Sequence, residues 1–265
     1  MRKELLHSLL QREWIRDIYE DWIIKWFRMG LKPEGKPYYD DFIAKLQKGE
    51  RVFLSNYANM FLGFDQESGI KGLENLQGLE DKPILVIANH TNSGPIAGGW
   101  KNVILSYHIQ KTARNEIRLM HGFDPTARHD LFRERLYKSI NSVPIRDPDP
   151  SRAGLSLRQA INNRDSMCLY PEGGFGSRDH NLRQGASEAG RLIKMCDGRD
   201  YAIVTASMRF KNDTFFAGFD RIGTEEIAGI DGADKNTLGQ NVVDYAMRRI
   251  AQHLPPDYQG YYKKS

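Results

Sequence analysis

The chain has three short apolar runs, two of which stop at polar, glycine-containing clusters, and that pattern restricts the fold more than any other feature. Ile84-Leu85-Val86-Ile87-Ala88 follows Pro83 and gives way to Asn89-His90-Thr91-Asn92-Ser93-Gly94-Pro95. Met167-Cys168-Leu169-Tyr170 gives way to Pro171-Glu172-Gly173-Gly174, and Ala202-Ile203-Val204-Thr205-Ala206 is the third run. Apolar runs without alternation suit strands buried on both faces, as in parallel sheets. Between them the spacing turns helical, over Ser151–Asn162 and Gly185–Met195. Strands alternating with helices predict an α/β fold: a mostly parallel central sheet flanked by helices. Ligand sites in such sheets gather at the carboxyl ends of the strands, where the first two polar clusters begin.

Residues 4–29 read as an N-terminal amphipathic helix. Trp14, Ile15, Ile18, Tyr19, Trp22 and Trp26 recur at helical spacing on one stripe, with Arg16, Asp17 and Glu20 turned away. Amphipathic rings favour the headgroup zone of a bilayer, so Trp14, Trp22 and Trp26 are candidate membrane contacts. The alternative is that the stripe packs as ordinary core. Gly30 and the stretch from Lys32 to Pro37 stop the helix, and further helices are expected at 40–47 and 57–64. The expected organisation is a helical, membrane-associating element over 1–66 and an α/β domain over 67–265. No apolar stretch approaches the roughly 18 residues that a span requires, and no apolar core follows the charged start as in a signal peptide. Any membrane contact is therefore expected to be peripheral, on the cytoplasmic face.

Composition narrows the classes. Of the 265 residues 40 % are hydrophobic and 27 % charged, which excludes a disordered or collagen-like chain. The formal charge is +4, from 38 basic and 34 acidic residues, too weak a bias to call for nucleic acid. Cys168 and Cys196 are the only cysteines, which excludes a disulfide framework and fits a reducing compartment.

Three clusters carry candidate chemistry. A histidine directly after a buried strand, His90, offers a neutral imidazole at physiological pH and so a general base; the bland alternative is a polar residue beside a helix cap. In Pro171-Glu172-Gly173-Gly174-Phe175-Gly176-Ser177-Arg178 the glycines admit close approach of a ligand. Backbone N–H groups there suit an anion, and Arg178 suits a phosphate. Val143-Pro144-Ile145-Arg146-Asp147 reads as a short strand with Arg146 at its end. The substrate-binding candidates are thus Arg146, Glu172, Gly173, Gly174, Ser177 and Arg178. His121-Gly122-Phe123-Asp124 with His129-Asp130 fits no zinc signature and no His-Glu-x-x-His motif occurs, so no metal is expected; no cofactor is expected either.

In order and spacing these clusters resemble the glycerophospholipid acyltransferase superfamily, typified by lysophosphatidic acid acyltransferases, over about residues 69–262. Gly72-Leu73-Glu74-Asn75-Leu76 is similar to the lead-in to the first strand. Asn89-His90, Val143-Pro144-Ile145-Arg146, Tyr170-Pro171-Glu172-Gly173 and Ala202-Ile203-Val204 resemble the four motifs in turn. Ala246-Met247-Arg248-Arg249-Ile250 and Leu254-Pro255-Pro256-Asp257-Tyr258-Gln259-Gly260-Tyr261 resemble the tail of some bacterial members. The resemblance implies transfer of an acyl group from a thioester, on coenzyme A or acyl carrier protein, to a lysophospholipid-like or other lipid hydroxyl. His90 would deprotonate that hydroxyl, Arg146 and the Glu172 loop would hold the acceptor, and backbone N–H groups would stabilise the oxyanion. The partners implied are a lipid acceptor, an acyl thioester and a membrane surface.

Departures from the family pattern bear on the chemistry. The family's Asp five residues after the motif histidine orients the imidazole; here Pro95 stands there, and no Asp or Glu occurs between Asp81 and Glu116. The Arg that follows Glu-Gly in the family is replaced by Gly174 and Phe175, and the usual Pro of the fourth motif by Thr205. Two alternatives follow. One is a non-catalytic relative that binds lipid or acyl thioester. The other is an esterase or thioesterase in which His90 activates water or Ser93, which no Gly-x-Ser-x-Gly elbow supports.

Overall fold

The structure, a computed structural model, describes residues 28–61, 69–90, 97–122, 131–146, 150–173, 181–211 and 214–263, with the single positions 21, 24 and 25. Its elements in chain order are helix α1 (Lys36–Lys48), β1 (Ile70–Lys71), β2 (Ile84–Ala88), α2 (Ala97–Ala113) and β3 (Ile117–Gly122). Then come α3 (Leu131–Ser139), β4 (Val143–Arg146), α4 (Pro150–Asn162), β5 (Ser166–Leu169) and α5 (Ser187–Asp197). The chain continues through β6 (Ala202–Lys211), β7 (Thr214–Ile222), α6 (Thr224–Ala228) and α7 (Lys235–Gln252). The seven strands form one sheet in the order β1-β7-β6-β2-β5-β3-β4. The five from β6 to β4 run parallel, whereas β7 pairs antiparallel with β6 and carries β1 parallel to itself. The chain is therefore α/β with a mostly parallel sheet flanked by helices.

The apolar run of β2 is buried at every position, and it feeds two cores at once. Ile84, Val86 and Ala88 pack on one face with Val204, Ala206 and Met208 of β6 and Ile104, Leu105 and Ile109 of α2. Leu85 and Ile87 pack on the other face with Leu192 and Ile193 of α5 and Val242, Val243 and Met247 of α7. Strand period two thus sorts a continuous apolar run between two helical layers. Full burial of one such side chain stabilises by roughly 1.5–3 kcal/mol, so β2 is the keel of the domain.

The expected 40–47 helix lies within α1, which ends at Gly49 in the left-handed region (φ 70°). The expected 57–64 helix is instead a 3-10 segment, Leu54–Phe61. Both pack into the first core through Phe42, Leu46, Tyr57 and Met60. The layer of α5 and α7 is drawn tight by glycine: a Cβ on Gly190 would lie 1.7 Å from the Gly239 carbonyl oxygen. The membrane-contact candidates Trp14, Trp22 and Trp26 lie outside the described residues. Among those described, no helix is long and apolar enough to cross a membrane.

Candidate functional site

The parallel register brings the ends of β2 and β5 side by side, Ile87 opposite Leu169. On the other flank, Ala88 lies opposite Ala206 of β6. Beyond the last ladder residue of β2, Asn89 is fully buried and continues the pairing with its side chain. Its Nδ2 donates to the Met208 carbonyl (2.9 Å), and its Oδ1 accepts the Met208 N–H (2.6 Å). An amide side chain here substitutes for a backbone rung, which fixes where the chain leaves the sheet and where His90 begins.

His90 is gripped next. Its backbone N–H donates to Glu172 Oε2 (2.8 Å), while Glu172 Oε1 accepts the N–H of Arg183 (3.1 Å). Gly173 then turns away in the left-handed region (φ 69°), its N–H bonded to the Tyr170 carbonyl (3.2 Å). That conformation favours a residue without Cβ. Glu172 thus ties the turns after β2 and β5 to the loop 181–186. The loop is itself held from late in the chain. Leu182 exchanges backbone bonds with Tyr258 and Tyr261, Gln240 Nε2 donates to the Gly185 carbonyl, and the Gly185 N–H donates to the Tyr262 hydroxyl (3.0 Å).

The ring of His90 stands edge-on to Tyr170, centroids 5.0 Å apart. Tyr170 in turn donates its hydroxyl hydrogen to Asn102 Oδ1. Opposite Nδ1 of His90, at 3.3 Å, is the Nζ of Lys101, a fully buried side chain in the first turns of α2. Nζ also lies 5.5 Å from the centre of the Tyr170 ring. The side chain opposite Nδ1 is thus an amine, where the family pattern has a carboxylate, and the backbone carbonyl of His90 also accepts a ring N–H.

Electrostatics follow from burial. Desolvation, with a further push from the Lys101 charge, lowers the His90 pKa to about 3, so its imidazole is neutral at physiological pH. Desolvation also lowers Lys101 to about 8, opposed by the Glu172 carboxylate and then Cys168. It raises Glu172 above its usual value, opposed by the Arg183 and His90 N–H groups and then by Lys101. Cys168 on β5 is raised to about 12 by burial, an inert thiol.

His90, Glu172 and Gly173 therefore meet at one point of the carboxyl edge. Arg146 ends β4, two strands beyond β5 in the sheet, with its backbone level with Gly122. Its side chain, with Ser93, Pro95, Gly174, Ser177 and Arg178, lies outside the described residues. His121, from the cluster considered for a metal, stacks on the Tyr137 ring at 4.0 Å. Among the described residues no three His, Cys, Asp or Glu side chains group as metal ligands.

Lys101 is the site residue that sequence reasoning missed. Its signal was present: Lys101, Ile104, Leu105, His108 and Ile109 are spaced as one buried helical stripe, and all are buried. A lysine in that stripe has to be buried with a partner. No protein-family model matches the chain, and no curated protein matches it.

Proposed function

We propose that this protein is an acyltransferase, moving a fatty acyl group from a thioester donor to a lysophospholipid-like or other lipid hydroxyl, with His90 as the general base. The observation that carries the proposal is the neutral imidazole of His90, fixed at the carboxyl edge of a parallel sheet between the turns after β2 and β5. The order of the acyltransferase-like motifs in the sequence supports the same reading. In it, Nε2 of His90 takes the hydroxyl proton as the oxygen attacks the thioester carbonyl. The thiolate then leaves and recovers that proton. Glu172 acts as a strut: both its oxygens accept backbone N–H groups and hold the base in place. Arg146, Ser177 and Arg178 with Gly173 and Gly174 are proposed to hold the acceptor, for which a phosphate-bearing lipid suits their charge.

A second reading, a non-catalytic protein that binds lipid or acyl thioester, is favoured by one observation: His90 Nδ1 faces the amine of Lys101. The test is consumption of long-chain acyl-CoA and acyl carrier protein thioesters with a panel of lysophospholipid and neutral lipid acceptors. Acceptor-dependent thioester loss that falls at least about 100-fold in His90→Ala is expected for a general base. An unchanged rate in His90→Ala rejects the assignment. No consumption by the wild type, with thioester binding retained, selects the second reading.

A further inference from the structure

We propose that Lys101 is the positioning partner of His90: its buried amine, 3.3 Å from Nδ1, decides which ring nitrogen carries the proton and so switches the imidazole between hydrogen-bond donor and general base. The catalytic part of this inference rests on the acyltransferase reading; the tautomer part does not.

An ammonium has three donors and no acceptor. While Lys101 is charged, its ammonium holds Nδ1 of His90 as an acceptor, against the pull of the His90 backbone carbonyl, which favours a ring N–H, and the ring proton of neutral His90 sits on Nε2. An imidazole in that state presents N–H to a substrate and takes no proton from it. Once Lys101 is neutral, its lone pair accepts Nδ1–H, and Nε2 turns into the bare nitrogen. The charge on Lys101 also lowers the basicity of His90, so its loss makes the same ring a stronger base. Full burial brings the switch within reach of ordinary conditions, with Lys101 losing its proton near pH 8.

The proton count closes. The hydroxyl proton passes to Nε2 as the oxygen bonds to the thioester carbon and the carbonyl π pair moves to its oxygen. The Nδ1 proton passes to Nζ, leaving a neutral ring and an ammonium. When the C–S bond breaks, the thiolate takes the Nε2 proton and Nζ returns its proton to Nδ1. The amine is restored, and the products are ester and thiol.

The groups facing this pair come from several elements. Glu172, after β5, favours the lysine charge; Cys168 and Tyr170 stand on and just beyond β5; and Arg183 lies beside Glu172. Of these, Cys168 is raised to about 12 and Tyr170 well above its usual value, so neither titrates near pH 8. Burial raises Glu172 above its usual value, opposed by the N–H groups of Arg183 and His90 that its oxygens accept.

The test uses the full chain with 15N-labelled histidine, His90 being assigned by the signal lost in His90→Asn. The expected result is Nε2–H below about pH 8 and Nδ1–H above it, since a donor or acceptor at one ring nitrogen fixes the tautomer. In parallel, thioester consumption is expected to rise about ten-fold between pH 7 and 9, as the neutral amine goes from about a tenth of molecules to most. Lys101→Arg keeps the charge at every pH. It is expected to stay in the Nε2–H form throughout and to lose transfer, while Lys101→Gln loses the rise between pH 7 and 9. A lysine that only filled space or balanced Glu172 would give the reverse order, with Lys101→Arg the milder change. One tautomer from pH 6.5 to 9.5, or wild-type transfer by folded Lys101→Arg, overturns the proposal. A tautomer switch without any thioester consumption supports the coupling of Lys101 to His90 and instead rejects the acyltransferase reading.

Discussion

Replacing Lys101 by methionine removes a buried charge while keeping most of the volume, and it turns the electrostatics of the site into a stability measurement. The folded-state pKa of Lys101 is about 8 against an ordinary 10.5. Between those values the unfolded chain binds a proton that the folded chain has released, so stability rises with pH across the window. The sign follows from a depressed basic group: its burial penalty is in full force below the folded pKa and is gone above the unfolded one. The whole shift corresponds to about 3 kcal/mol. The part falling between pH 7.5 and 9.5 is about 2 kcal/mol, or a melting shift of roughly 4–8 °C for a domain of this size. The buried tyrosines and cysteines also titrate toward alkaline pH, but they are common to both proteins and cancel in the difference. Urea unfolding followed by circular dichroism, run on wild type and Lys101→Met at both pH values, measures that difference. Wild type is expected to gain about 2 kcal/mol on the variant as pH rises. Parallel curves, within about 0.5 kcal/mol, would refute the argument that a charged amine is buried beside His90.

Three other perturbations follow from the geometry. Asn89→Ala strands the buried N–H and carbonyl of Met208 and is expected to cost about 2–5 kcal/mol in urea unfolding, whereas a loss under about 1 kcal/mol would deny the side chain its role as a rung. Gly190→Ala drives a methyl into the Gly239 carbonyl and is expected to lower stability by more than about 2 kcal/mol, while Gly154→Ala, on the open face of α4, is expected to raise it by about 0.5–1 kcal/mol; melting curves of the two variants test the contrast. The aromatic stripe of the first 29 residues is expected to bind membranes, so replacing Trp14, Trp22 and Trp26 together by alanine should reduce co-sedimentation with liposomes, and equal pelleting would assign the stripe to protein packing instead.

Legibility in the sequence tracked how completely an element is surrounded. β2 and β5 are buried at every position, so their apolar runs announce them almost to the residue. β3 carries Arg118 and His121 within six residues, because it lies nearer the sheet edge, and it reads as nothing in particular. β1 has two residues and exists only as a partner of β7. β6 runs five residues beyond Ala206 because β7 folds back on it, a pairing decided by contact rather than by local pattern. At the site, His90 and Glu172 were legible because they follow strands. Their relation was not: a glutamate expected to help hold the acceptor accepts two backbone N–H groups. Lys101 escaped because a charged residue in an apolar stripe is ordinarily read as a boundary of the stripe.

The hold of Tyr258, Tyr261 and Tyr262 on the loop beside Glu172 also sets a timetable. A chain emerges from the ribosome amino end first, and its segments organise as they appear. His90, Lys101 and Glu172 are all synthesised well before the loop that carries Arg183 acquires its anchors, for Gly185 and Tyr262 are 77 positions apart. Closing a segment of that length costs entropy that only the finished contact repays. β2, α2 and β5 are thus all available while the strut at the site still lacks the anchored loop that brings one of its two donors. Completion of the site therefore waits until Tyr262 has been synthesised, later than the elements that carry His90, Lys101 and Glu172.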